Sequence, residues 1–126
     1  MIDIFKSVRD FHEKYEQDVD QPLKAETLEL RAGLINEEAQ EAFLEMINPS
    51  SGEALDPEQV DKRALTKELS DVLYVTVGTA VAWGLPLEEV FKRVHDSNMT
   101  KDGGTRSDGK ILKGPSYVPP NLDDLF

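Results

Sequence analysis

The chain has 126 residues, which is enough for one domain built around a single core. Its 25 acidic and 14 basic residues give a formal net charge of −11, which argues against a protein that binds the phosphate backbone of nucleic acids. The absence of cysteine excludes disulfides, thiolate zinc sites and cysteine nucleophiles, while a hydrophobic content of 39% is sufficient for a packed interior.

Two amphipathic helices are predicted in the first third of the chain. Apolar residues recur every three to four positions over residues 2–16, and again from about Leu28 to Ile47, which is the spacing of a helix that buries one face. The segment from Asp18 to Pro22 breaks the first pattern. The turn-forming segment from Asn48 to Gly52 ends the second.

A long third helix and a shorter fourth helix are predicted next. The segment from Asp56 to Gln59 carries an N-cap residue, a first-turn proline and a capping partner, so we expect the third helix to begin there. Its apolar spacing continues to Gly84, which is suited to a left-handed cap, giving a helix of about 40 Å. The fourth helix is predicted from Pro86 to about Asp96.

The last thirty residues are predicted to be irregular, because they have no helical period and are rich in glycine and proline. At most a short strand is expected at Lys110 to Leu112, after an Asp-Gly turn. The predicted fold class is therefore all-α, a four-to-five-helix bundle with an irregular C-terminal tail. One domain is expected over residues 1–126, with a helical core of about 1–97 and a tail of about 98–126.

The sequence also predicts a cytoplasmic protein with no membrane or nucleic-acid partner. The N-terminal segment lacks the basic and apolar regions of a secretion signal. The longest uncharged run, from Val72 to Leu87, is shorter than the ~20 apolar residues of a membrane-spanning helix.

Two acidic pairs interrupt the apolar faces of the second and third helices. Glu38 lies within an apolar stripe and Glu41 follows one turn later on the same face; Glu68 and Asp71 repeat this arrangement. One such pair is usually a solvated helix face. Two pairs directed at the core would be costly and would repel each other, so they favour a hard divalent cation, magnesium first and manganese second.

These acids resemble the motifs of the all-α nucleoside triphosphate pyrophosphohydrolases, the MazG-like and phosphoribosyl-ATP pyrophosphohydrolase-like superfamily. Its marks are an EExxE motif and an ExxD motif, here Glu37, Glu38 and Glu41, then Glu68 and Asp71. The segments from Ser97 to Lys101 and from Asp108 to Tyr117 also resemble this superfamily, so the resemblance extends over about residues 1–122.

The resemblance implies a magnesium-dependent hydrolase that cleaves a (deoxy)nucleoside triphosphate between its α and β phosphates. Four acids would hold the metal, namely Glu38, Glu41, Glu68 and Asp71. Bound cations would invert the local field, which would otherwise repel the anionic substrate. Glu37 and Glu38 are the predicted catalytic residues, Glu37 either as a ligand of a further ion or as the base that orients water.

The resemblance also implies a role for the tail and an oligomeric state. The tail offers hydrogen-bond donors that would close over the pyrophosphate end of the substrate: Asn98, Lys101, Lys110, Lys113 and Tyr117. Arg106 is a weaker candidate. A dimer or dimer of dimers is expected, since helices this apolar would leave exposed apolar surface in a monomer.

Other interpretations of the sequence predict different sites. The nucleotide substrate could be phosphoribosyl-ATP, or the acidic face could belong to a non-catalytic helical interaction module. A phosphate-binding Walker loop is rejected because Ile111 replaces the final serine or threonine, and a di-iron bundle because no Glu-x-x-His pair is present. Trp83 and Phe91 are expected in the core. His12 and Tyr15 are expected at the surface, although either could reach a nucleobase.

Overall fold

The computed structural model describes all 126 residues and contains four α-helices, two isolated antiparallel bridges and no strand. The helices are α1 (Ile4–Lys14), α2 (Ala25–Leu44), α3 (Lys62–Trp83) and α4 (Leu87–Asn98). The predicted all-α class is therefore confirmed. None of the four helices combines the length and the apolar content that crossing a bilayer requires.

The first two helices occur where the apolar periodicity predicts them, with shifted ends. The α1 helix starts after Asp3, whose carboxylate accepts a hydrogen bond from the Lys6 backbone N–H at 3.0 Å. It ends before Glu16, which adopts a left-handed backbone conformation with φ of 55°. The α2 helix starts three residues before the predicted Leu28 and ends three residues before Ile47, which instead forms an antiparallel bridge.

The predicted start of the third helix at Asp56 is wrong. Asp56 accepts a hydrogen bond from the Glu58 backbone N–H, but it caps only a short 3₁₀ turn that ends where Val60 becomes extended. The α3 helix begins after Asp61, which accepts from the Ala64 N–H at 3.0 Å. Its 22 residues span about 33 Å instead of 40 Å. The predicted cap at Gly84 is confirmed by its φ of 63°.

Residues Met1–Leu85 form one compact unit, in which α3 packs against both α1 and α2. The buried apolar residues lie mainly on the C-terminal half of α3, where small side chains allow close helix packing. They are Val8, Ala42, Val77, Ala80, Val81 and Ala82. The acidic half of α3 thus lies outside the most buried part of this unit.

Residues Pro86–Phe126 form a second compact unit made of α4 and the tail. Within it, Ser97 donates a hydrogen bond to the Val118 carbonyl at 2.6 Å, and the Val118 N–H donates to Thr100 Oγ1 at 2.8 Å. The short strand allowed for near Ile111 is a single bridge to Thr105. The single domain over residues 1–126 stays a prediction.

Two expectations about burial are wrong. Phe91 is 70% exposed rather than part of the core, because the buried residue of α4 is Ser97 and Phe91 lies six residues before it, about 120° away around the helix. His12 is only 3% exposed rather than a surface residue. Its Nδ1 lies 2.7 Å from the Asp18 carbonyl, which ties the ring to the loop after α1. Tyr15 is exposed as expected, and Trp83 is half-buried.

A candidate metal centre and the adjoining cavity

The four predicted metal ligands lie together between α2 and α3. Glu38 and Glu41 come from α2, and Glu68 and Asp71 come from α3; one carboxylate oxygen of each lies within 4.8 Å of the others. This arrangement arises because residues three apart lie one turn apart on the same helix face. Packing α2 against α3 then brings the two acidic faces together.

The acids carry more negative charge than their surroundings offset. Lys67 is the one cationic side chain within ion-pairing distance of them, with its Nζ 2.7 Å from Asp71 Oδ2 and 3.6 Å from Glu68 Oε1. Glu38 Oε2 and Glu68 Oε2 are buried and have no hydrogen-bond partner. A buried carboxylate oxygen without a donor is unfavourable, so these two oxygens favour an additional cation.

Burial also affects the protonation of Glu68, whose side chain is 15% exposed. Desolvation raises the pKa of the Glu68 carboxyl above its ordinary value, and the adjacent Glu41 carboxyl raises it further, while Lys67 opposes the shift. Without metal, Glu68 therefore takes up a proton more readily than an isolated glutamate does. A bound divalent cation would favour the ionised form.

The donor set suits a hard divalent ion. All four candidate ligands offer oxygen, and magnesium and manganese are bound mainly through carboxylate oxygens and water. Neither cysteine nor histidine belongs to the group, so the soft and borderline ligands typical of zinc sites are absent from it. The residues present therefore fit magnesium or manganese.

The other predicted site residues are not part of this group. Glu37 is exposed on α2 and does not belong to the acid cluster. The tail residues lie in the second unit: Asn98, Lys101, Lys110, Lys113 and Tyr117. Lys113 lies over the ring of Tyr117, with Nζ 5.0 Å from the ring centroid, which is a cation–π contact. Arg106 pairs with Asp108 two residues later. Roles in substrate binding stay predictions for all of them.

A cavity of about 260 Å³ adjoins the acid cluster within the first unit. Two of the four acids, Glu38 and Asp71, line it. The other lining residues are aromatic, apolar and polar, namely Phe11, His12, Gln17, Arg31, Leu34, Tyr74 and Val75. The rings of Phe11 and Tyr74 meet edge to face, with centroids 5.4 Å apart. A mostly apolar cavity with aromatic side chains and two carboxylates in its wall is suited to a ligand that carries both a flat ring and metal-bound phosphates.

Sequence reasoning missed Arg31 in this cavity. Arg31 is 6% exposed and lies seven residues before Glu38, on the same face of α2. The signal that identifies Glu38, a charged residue within an apolar stripe, is present for Arg31 as well. Burial lowers the pKa of its guanidinium.

The chain also matches a known protein family. A family model described as phosphoribosyl-ATP pyrophosphohydrolase matches residues 8–98, which is more than half of the chain. The matched segment contains both acidic pairs and ends with the last residue of α4. No curated protein matches the chain.

Proposed function

Because the chain belongs to the phosphoribosyl-ATP pyrophosphohydrolase family, it is a pyrophosphohydrolase acting on acid anhydrides, and we propose that its substrate is a (deoxy)nucleoside triphosphate. Cleavage between the α and β phosphates would give a nucleoside monophosphate and pyrophosphate. The observation that carries this proposal is the group of four carboxylates, two of which, Glu38 and Asp71, line a cavity that also has aromatic side chains in its wall.

We further propose that the ion is magnesium, with manganese as a substitute. Glu38, Glu41, Glu68 and Asp71 would hold it, since their oxygens lie close enough to share an ion and two of them have no other partner. When bound, the metal supplies charge neutralisation at the phosphates and a lowered pKa for a coordinated water. These four residues are close enough together to act as one site, so the loss of any one should weaken metal binding.

Glu38 and residues outside the acid cluster have proposed roles in the reaction itself. Glu38 orients the site as a ligand, and the exposed Glu37 beside it is the candidate base that accepts a proton from the attacking water. The tail residues Asn98, Lys101 and Lys110 are candidates for donating hydrogen bonds to the pyrophosphate leaving group, together with Lys113 and Tyr117. Donors are needed there because negative charge builds up on the leaving oxygen.

A second substrate, phosphoribosyl-ATP, is favoured by the description of the matched family. It carries the same triphosphate chain, so the acid cluster serves either substrate equally well. The family match favours an enzyme over a non-catalytic acidic interaction module. We place the activity in the cytoplasm, where it would control the nucleotide pool.

We propose that the active form is a dimer or a dimer of dimers. The α2 and α3 helices expose large apolar side chains that water solvates poorly: Leu28, Leu30, Ile35, Phe43, Leu44, Leu69 and Leu73. A second copy of the chain would bury such a surface through a two-fold interface. Sedimentation equilibrium measures the mass directly, and a purely monomeric species at micromolar concentration would contradict the proposal.

The test of function is a substrate panel. The protein is incubated with Mg²⁺ and each common ribonucleoside and deoxynucleoside triphosphate, or with phosphoribosyl-ATP, and pyrophosphate is measured. We expect release from at least one nucleoside triphosphate and loss of release in Glu68→Gln. Glu53→Gln is the matched control, because Glu53 is exposed and lies outside the cluster. Release from phosphoribosyl-ATP alone would favour the second substrate.

A further inference from the structure

Arg31 is a buried cation without a carboxylate partner. Its Nε donates to Thr79 Oγ1 at 3.1 Å and its Nη2 donates to the Val75 carbonyl at 3.0 Å. It takes part in none of the ion pairs of the molecule. A guanidinium has five N–H donors, so three of them have no protein partner. Arg31 lines the adjoining cavity, so these free donors are available to a ligand that enters it.

His12 complements Arg31 at the same place. Its Nδ1 lies 2.7 Å from the Asp18 carbonyl, and a carbonyl oxygen only accepts, so Nδ1 carries the proton. In the neutral ring Nε2 is then an acceptor. Both side chains lie against α3 beside Gly78: a Cβ at that position would be 2.6 Å from Arg31 Nη2 and 3.0 Å from His12 Nε2. The absence of a side chain at Gly78 thus makes room for this donor and acceptor.

The position of Arg31 indicates which part of a substrate would reach it. Arg31 and Glu38 line the same cavity and are seven residues apart on α2, which is about 10 Å along the helix axis. Phosphates bound with a cation at Glu38 and Asp71 would leave the nucleoside pointing away from the acids. The rings of Phe11 and Tyr74 beside this path offer surfaces against which a base packs.

We propose that Arg31 and His12 read the base of the nucleotide and select bases that present a carbonyl next to a ring N–H, as guanine and uracil do. Arg31 donates to the carbonyl oxygen, and His12 Nε2 accepts from the ring N–H. Adenine and cytosine present the opposite pattern, an amino donor beside a ring-nitrogen acceptor. Their amino group would face the guanidinium, so that two donors meet, and their ring nitrogen would face His12 Nε2, so that two acceptors meet. This inference rests on the proposed function for its substrate, and it names the class of base.

The first test measures kcat/KM for GTP, UTP, ATP and CTP with Mg²⁺. We expect the wild-type protein to favour GTP and UTP. Arg31→Met should lower kcat/KM for these two by about 10- to 150-fold, the range for losing a hydrogen bond from a charged donor, and should change the values for ATP and CTP little. Arg63→Met is the matched control, because Arg63 is exposed on the first turn of α3. An equal loss for all four substrates would overturn the proposal.

A second variant tests the inference if Arg31→Met fails to fold. Gly78→Ala keeps Arg31 but displaces its guanidinium, since the added Cβ would lie 2.6 Å from Nη2. Alanine is also the better helix former, so α3 itself is retained. We expect the same loss of preference for GTP and UTP. Unchanged preference in a folded Gly78→Ala protein would show that Arg31 does not read the base.

A binding measurement separates this inference from the proposed function. Calorimetric titration of the wild-type protein with GMP, UMP, AMP and CMP in the presence of Mg²⁺ requires no turnover. We expect tighter binding of GMP and UMP, and loss of that difference in Arg31→Met. Equal binding of all four monophosphates would overturn base selection even if pyrophosphate is released. Absence of pyrophosphate release together with selective binding would overturn only the proposed reaction.

Discussion

Lys67 Nζ lies 2.7 Å from Asp71 Oδ2, one turn away along α3, and so places a positive charge at the edge of the acid cluster. The same ammonium is 3.6 Å from Glu68 Oε1. In the protein without metal, Lys67 therefore partly neutralises two of the four carboxylates. A divalent cation at the cluster would compete with it for the same oxygens.

Removing this charge should make the protein more dependent on metal. In Lys67→Met we expect a lower melting temperature without metal, because repulsion among the carboxylates increases, and a larger rise on adding Mg²⁺. Thermal unfolding followed by circular dichroism, with and without Mg²⁺, measures both. Lys62→Met serves as the control, since Lys62 is exposed on the same helix and has no acidic partner. A smaller Mg²⁺ response in Lys67→Met would contradict this account.

Replacing one carboxylate by an amide should have the opposite effect on the metal-free protein. Glu38→Gln removes a charge whose Oε2 is buried without a partner, so the melting temperature without metal should rise by a few degrees. The Mg²⁺-induced rise should disappear and pyrophosphate release should fall by about 100-fold or more. Glu53→Gln should change neither quantity. A lower metal-free melting temperature with an intact Mg²⁺ response would mean that Glu38 is structural.

The order of the helices could be predicted from sequence because apolar periodicity and capping residues are local signals. The start of α3 could not, since Asp56 and Asp61 both have the chemistry of an N-cap. Only the extended backbone at Val60 decides between them. Periodicity also places Glu38 and Glu68 on inward faces, whereas their approach to one another depends on how α2 packs against α3.

Burial is less predictable than helix position. Residue type alone predicts that Phe91 lies in the core, yet it is largely exposed. Arg31 and His12 are polar residues whose burial depends on partners far along the chain, including Thr79 and the gap beside Gly78. A single sequence shows neither contact. The sequence nevertheless shows a charged residue, Arg31, within an apolar stripe, and this pattern could have identified it as a candidate site residue.

Two glycines provide a paired test of the backbone. Gly84 ends α3 with φ of 63°, and a Cβ there would lie 3.0 Å from Asp20 Oδ1, so Gly84→Ala should lower the free energy of unfolding by about 1 kcal/mol. Gly33 lies within α2, and a Cβ added there would meet no atom within 4 Å. Gly33→Ala should therefore raise the free energy of unfolding by roughly 0.5–1 kcal/mol. Urea titration measures both changes. If both variants changed the free energy of unfolding equally and in the same direction, the left-handed cap at Gly84 would be contradicted.

The tail provides a prediction about pH. Arg93 on α4 forms a two-pronged ion pair with Asp124, and this holds the pKa of the Asp124 carboxyl below its ordinary value of 3.8. Since the folded pKa is the lower one, the pair stabilises the folded protein above pH 3.8, and this contribution is lost as the pH falls through the lowered value. Asp124→Asn should therefore reduce the melting temperature at pH 7, and the difference from the wild-type protein should shrink as the pH falls below about 3.8. Asp123→Asn is the control, because the Asp123 carboxylate makes no ion pair. A difference between Asp124→Asn and wild type that does not change with pH would show that the charge of Asp124 does not hold the tail to α4.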